Sequence, residues 1–356
     1  SKVTTFLDKG LGNVACTNCG QCALVCPTGA IVEKSDVEAV WKDLSNPDLV
    51  TIVQTAPAIR VGIGEAMGMK EGALVTGQMV AGLRRLGFKK VFDTQFTADL
   101  TIMEEGHEFI KRVSTGGTLP MITSCSPGWI KFIEHFYPEQ LDHLSTCKSP
   151  QQMFGAVAKT FYAEKTGIDP RRLRVVSIMP CTAKKYEAGR SEMDGAFHYW
   201  KEKLSLTEEE RFADVDYALT TRELARMFKE IGISFEHLPE EAFDSPLGAS
   251  TGAAVIFGAT GGVMEAALRT VYEVLTGKTL TQVDFTAVRG MDGIREATVD
   301  INGNPVRVAV GHTLKNARTL LEQIKAGTSP YAFIEIMTCP GGCLGGGGQP
   351  IPTTWE

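Results

Sequence analysis

No stretch of this sequence reaches the run of about 18 apolar residues that a membrane-spanning helix needs. Basic residues are not in excess: 36 Lys and Arg stand against 42 Asp and Glu, and the net charge of −6 argues against a nucleic-acid surface. No long block of like charge marks a disordered tail. The opening "SKVTTFLDKGLGN" lacks an apolar core, so no secretion signal is visible and a cytoplasmic location is expected. The six histidines show no metal-ligand spacing, and there is no internal repeat. What remains is ordinary for a globular chain: 356 residues, 43% hydrophobic and 22% charged, enough to bury one core or two.

Cysteine is the residue in good supply. Nine are present, at 16, 19, 22 and 26, at 125, 147 and 181, and at 339 and 343. Such local clustering makes poor disulfide staples and favours metal sites. "CTNCGQCALVCP" is C-x2-C-x2-C-x3-C-P, the bacterial ferredoxin spacing, so Cys16, Cys19, Cys22 and Cys26 read as ligands of a [4Fe–4S] cluster. In that pattern the fourth cysteine usually serves a second cluster, whose other ligands are missing here. Either Cys26 adapts to the single cluster, or the chain begins partway through a larger ferredoxin-like domain; the second is favoured. Cys147 has no cysteine near it in sequence and reads as a buried structural thiol.

Beyond residue 35 strand and helix signals alternate, as in an α/β core. Strands are expected at 49–55, 89–94, 119–124, 174–180, 282–290, 296–301, 305–311 and 332–338. Helices are expected at 72–86, 98–113, 150–165, 221–231, 260–276 and 313–326. "DINGNP" reads as a hairpin turn, because Asn-Gly tolerates positive φ at both central positions. The charged segment 201–216 reads as a surface insertion. Cys125, Cys181 and Cys339 each follow an apolar run, in "MITSC", "VSIMPC" and "IEIMTC". Open α/β sheets bind ligands beyond their strand ends, so three distant thiols could share one site. The glycines of "GGCLGGGGQP" permit close backbone approach to a bulky group. "GATGGVMEAALR" lacks the Lys-Ser/Thr ending of a phosphate loop and reads as a helix start packed on a cofactor.

"TSCSPGW" (123–129), "MPCTAKKYE" (179–187) and "EIMTCPGGCLGG" (335–346), in that order behind a ferredoxin segment, resemble the TSCCPxW, MPCxxKxxE and ExMxCxxGCxxG motifs of [FeFe]-hydrogenases. The resemblance covers nearly the whole chain. It implies a two-lobed α/β catalytic domain of twisted sheets flanked by helices (36–356, with lobes of roughly 36–200 and 201–356) behind a partial ferredoxin-like segment (1–35). It also implies an H-cluster, a [4Fe–4S] cubane bridged to a two-iron unit with CO, cyanide and a dithiolate, and reversible formation of H2 from two protons and two electrons. Cys181, Cys339 and Cys343 would hold the cubane, with Cys343 the bridge, and Lys184 would hydrogen-bond a cyanide. Ala56, Pro57, Ser149, Gln151, Met179, Pro180, Phe257 and Met337 would surround the two-iron unit. Protons would pass Glu105, Glu108, Ser145 and Cys125. Glu105 and Glu108, three apart, share a helix face, although by themselves they read as solvated. Electrons would come from a ferredoxin-type carrier, and a small subunit or larger complex is an expected partner.

One position departs from the family pattern. Its second adjacent cysteine, a cubane ligand, is Ser126 here. Three readings stay open: Ser126 binds iron through oxygen, Cys125 takes its place, or three thiolates hold a labile cubane. Adjacent side chains on extended backbone point apart, which inclines the choice to Cys125 near the two-iron unit and Ser126 facing the cubane. The same serine suits a rival reading, an H2 sensor or iron–sulfur-binding relative with little turnover. A plain ferredoxin-type carrier would not need some 300 further residues.

Overall fold

The computed structural model describes residues 9–11, 14–245, 260–280, 283–288 and 292–351. In chain order its strands are β1 (Val50–Thr55), β2 (Lys90–Asp93), β3 (Met121–Ile122), β4 (Leu173–Met179) and β5 (Tyr217–Thr220). They continue as β6 (Thr286–Ala287), β7 (Ile294–Ile301), β8 (Asn304–His312) and β9 (Phe333–Met337). A parallel sheet has the order β2-β1-β4-β5, and a mixed sheet the order β3-β9-β8-β7-β6. In the mixed sheet β3, β9 and β8 run parallel, while β7 and β6 are antiparallel additions.

Side-chain pattern explains the difference. β4, "LRVVSIM", and β9, "FIEIM", are apolar nearly throughout and buried on both faces, as parallel strands under helices must be. β7 alternates buried and exposed residues, so one face meets water. It joins β8 through Asn302 (φ 54°) and Gly303 (φ 83°), the hairpin turn expected from Asn-Gly.

The two sheets do not divide the chain at residue 200. β3 precedes that point yet pairs with β9, and β5 follows it yet pairs with β4. The helix Gln95–Thr115 leaves β2 of the first sheet and packs against the helix Gly262–Thr276 of the second. The segment 201–216 is not a loose insertion either. Leu206, Asp214 and Val215 are buried, and the Asp214 carboxylate accepts the Ala196 and Gly195 amides and Lys148 Nζ. The helix expected at 150–165 is interrupted, running Pro150–Val157, a π-turn at Ala158–Tyr162, then Ala163–Thr166.

Candidate metal centre

Five strands, three from the parallel sheet and two from the mixed one, point their carboxyl ends at one hollow. β1 is followed by Ala56 and Pro57, β2 by Thr94, β3 by Cys125 and Ser126, β4 by Pro180 and Cys181, and β9 by Thr338 and Cys339. Met179, Met337, Gln151, Lys184 and Cys343 complete much of the wall. Three thiols thus share a hollow, Cys181 from one sheet with Cys339 and Cys343, 158 and 162 residues further on, from the other. Among the described residues no three His, Cys, Asp or Glu side chains close round a single metal ion. The lining suits a group the size of a cluster, with soft thiol donors of the kind iron–sulfur centres take. Burial raises the Cys181 and Cys343 thiols and pushes Cys339 up to about 11. Without a metal to stabilise thiolates, this apolar wall keeps them protonated, so cluster binding there must release protons.

Lys184 is held rather than loose. Its Nζ donates to the Cys125 carbonyl (3.0 Å) and to Glu187 Oε2 (2.9 Å). Glu187, which closes the "MPCTAKKYE" string but was given no role there, also accepts from Ser149 Oγ (2.8 Å) and Gln151 Nε2 (3.0 Å). Ser149, expected beside the two-iron unit, is therefore engaged behind the wall, since it is not among the lining residues. Gln151 Oε1 has no partner among the described residues, which leaves one acceptor free at the lining. Phe257 lies outside the described residues.

Cys125 and Ser126 both reach the cavity, on different sides. Cys125 packs with Ala98, Ile102, Val263, Ala266 and Met337, and burial raises its thiol well above the usual range. Ser126 Oγ shares a hydrogen bond of 2.8 Å with Thr338 Oγ1 and accepts the Thr338 amide at 3.3 Å. Ser126 thus turns toward the residue that precedes Cys339.

Glu105 and Glu108 share a helix face, but neither reads as solvated. Glu105 is fully buried, and burial pushes it up to about 7 against the opposing pull of the Ser145 hydroxyl and the Ser124 amide. Burial also opposes ionisation of Glu108, yet the Thr146 amide and Arg112 outweigh it and hold the carboxyl low. Arg112 Nη2 donates to Glu108 Oε1 (2.6 Å), and Ser145 Oγ to Glu108 Oε2 (3.3 Å). The spatial order differs from the expected one. Glu108 is outermost, Ser145 stands next to it, and Glu105 lies deepest, where its charge is felt by Cys125. Cys147 is only half-buried and directs its Sγ at Glu108 Oε2 (3.6 Å).

The ferredoxin segment abuts the cavity floor. Thr182 Oγ1 donates to the Asn18 carbonyl (2.6 Å), and Gln21 Nε2 to Cys339 Sγ (3.3 Å) and Gly345 O (2.7 Å). The glycine run approaches polypeptide: a Cβ on Gly346 would lie 2.1 Å from Pro180 O, and one on Gly347 2.1 Å from Cys19 O. Burial and then the neighbouring Cys19 and Cys16 raise the Cys22 thiol. At Cys26 the Thr28 hydroxyl and the amides of its own turn draw the thiol down to about 7. None of these cross-segment contacts has a local sequence signal.

Comparison with known proteins agrees with this geometry. Residues 50–347 match the family described as iron only hydrogenase large subunit, C-terminal domain, and residues 14–32 match the 4Fe-4S binding domain. The chain is 54% identical over 354 residues to the NADP-reducing hydrogenase subunit HndD of Solidesulfovibrio fructosivorans, covering 98% of itself and 58% of that relative. It is 51% identical to the periplasmic [Fe] hydrogenase large subunit of Nitratidesulfovibrio vulgaris, covering 94% of itself and 85% of the relative. Because that relative is named periplasmic, membership of the family carries no compartment. A solved [FeFe]-hydrogenase of Chlamydomonas reinhardtii superposes with a TM-score of 0.79 at 42% identity, over 90% of this chain and 86% of that one. With its thiols gathered at one hollow and its sequence matched from residue 50 to 347, the chain belongs to the iron-only hydrogenase family.

Proposed function

We propose that this chain interconverts H2 with two protons and two electrons at an H-cluster. The observation that carries the reading is the convergence of Cys181, Cys339 and Cys343 from two different sheets on one cavity. These three thiols would hold the cubane with Ser126 as fourth donor, or Cys125 in its place. The two-iron unit would occupy the side bordered by Ala56, Pro57, Gln151, Met179 and Met337. When bound, the group supplies the electron storage and the chemistry of making or breaking H2.

The residues around it supply placement and protons. Lys184, steadied by Glu187, offers the lining a fixed cation where an anionic group must sit. Cys125 keeps its proton until a base takes it, because its apolar surroundings disfavour the thiolate. Glu105 is poised near neutrality to exchange that proton. Ser145 would pass it to Glu108, which would take it up transiently and release it outward, since Arg112 and the Thr146 amide favour its return to the carboxylate. Electrons would enter through the cluster of Cys16, Cys19, Cys22 and Cys26 from a ferredoxin-type carrier, and further subunits would complete the assembly.

The test is anaerobic reconstitution with iron and sulfide, then addition of a synthetic two-iron cofactor. Terminal CO and cyanide infrared bands with H2 evolution are expected. Ser126 favours one alternative, a sensing or cluster-binding relative, which would show those bands with little turnover. Absence of the bands would remove the assignment.

A further inference from the structure

Gln21 is the second of the two residues between Cys19 and Cys22, at the start of the helix Gln21–Val25. Its side chain leaves the ferredoxin segment and crosses to the other centre. Both hydrogens of Nε2 are engaged, one on Cys339 Sγ at 3.3 Å and one on Gly345 O at 2.7 Å. The crossing is braced on both sides. Thr182 holds the Asn18 carbonyl, and a Cβ on Gly20 would lie 2.4 Å from Thr182 Oγ1. Arg222 pairs with Glu33 (2.7 Å) and donates to Gly347 O (2.9 Å), tying the same segment to the glycine run. These contacts seat the Gln21 backbone against the other centre, and the two Nε2 hydrogen bonds fix where its side chain points.

We propose that Gln21 is a positioning residue that sets the reduction potential of the cubane at Cys339, a role that rests on reading Cys339 as a cubane ligand. A reduced cluster carries one more negative charge, spread over its sulfurs. An N–H donor aimed at a ligand sulfur stabilises that state more than the oxidised one, and so raises the potential. One electron leaves the first cluster, oxidising it by one, and enters the cubane, reducing it by one; no bond is made or broken. Gln21 biases that transfer toward the cubane, and it does so from within the donor cluster's own loop.

The experiment uses the whole chain, reconstituted anaerobically with iron(II) and sulfide alone, and follows both clusters by potentiometric electron paramagnetic resonance. In Q21L the reduced-to-oxidised ratio of the cubane at a fixed potential should fall about tenfold, which is ~59 mV for one electron. Q21E, which has no donor and adds a charge, should fall further. Iron content should match wild type in both, and the first cluster should move less. Unchanged ratios in both variants at full iron content would overturn the role, and so would loss of iron without a shift, which marks a merely structural contact. Failure of the metal-centre reading looks different: wild type and C339A would then bind equal iron, with a single cluster signal in each.

Discussion

Glu105 offers the sharpest reading of a single residue, because its environment contradicts its charge. A carboxyl normally near 4.5 is buried until it titrates near 7. Between those two values the unfolded chain has lost its proton while the folded chain retains it. Stability therefore falls as pH rises through that window, by about 3 kcal/mol in all, and stays level above it. E105Q has no proton to lose. Its stability relative to wild type should improve by about that amount from pH 4.5 to above 7, as urea unfolding of the cluster-free chain would show. A difference that does not vary with pH would mean that Glu105 is not so penalised. Ser126 and Cys125 give a second test at this scale. With Ser126 as fourth ligand, S126A should lose iron to a chelator roughly tenfold faster or more, S126C should hold it longer, and C125A should match wild type. The opposite ranking of S126A and C125A moves the ligand to Cys125. The motif cysteines and Lys184 were legible in the sequence, because each lies in a short string with its own spacing. Gln21 was not, since its meaning comes from Cys339, 318 residues away, and although Glu187 closes the "MPCTAKKYE" string, its hold on Ser149 and Gln151 could not be read there.

At the scale of elements, the buried strands announced themselves. β1, β4, β8 and β9 are apolar runs bounded by turn residues, and their observed limits fall within a residue or two of expectation. β5 did not, being four residues set behind a charged stretch, and its identity comes from pairing with β4. Only a tertiary contact could also show that Asp214 secures that stretch. The helix Gly262–Thr276 is secured similarly. Glu335, fully buried on β9, accepts the Gly261 amide (2.8 Å) and the Met264 amide (2.7 Å) at its start. The acidic residue of "EIMTC" thus caps the helix that packs Val263 and Ala266 on Cys125. E335A leaves two buried amides without an acceptor and should destabilise the chain by about 2–4 kcal/mol. A chemical-denaturation midpoint unchanged from wild type would show that water replaces the carboxylate.

Over the whole molecule, the α/β class and the shared cavity were foreseeable, but the division of the chain was not. Sequence order suggested lobes meeting near residue 200, whereas strand pairing crosses that point in both directions. Fragments 36–200 and 201–356 should therefore fail to fold separately. Each would expose a sheet edge that its native partner covers, β3 without β9 and β5 without β4. Circular dichroism of the separate and mixed fragments would check this; cooperative unfolding of either one alone would contradict it. The late position of β9 has a temporal corollary. A ribosome must release the chain beyond Cys343 before the hollow has all its walls. Until then Cys181 has no distant companions to share an iron centre with. Loading is consequently an act that waits until β9 and Cys343 have emerged and joined the walls built by the earlier strands.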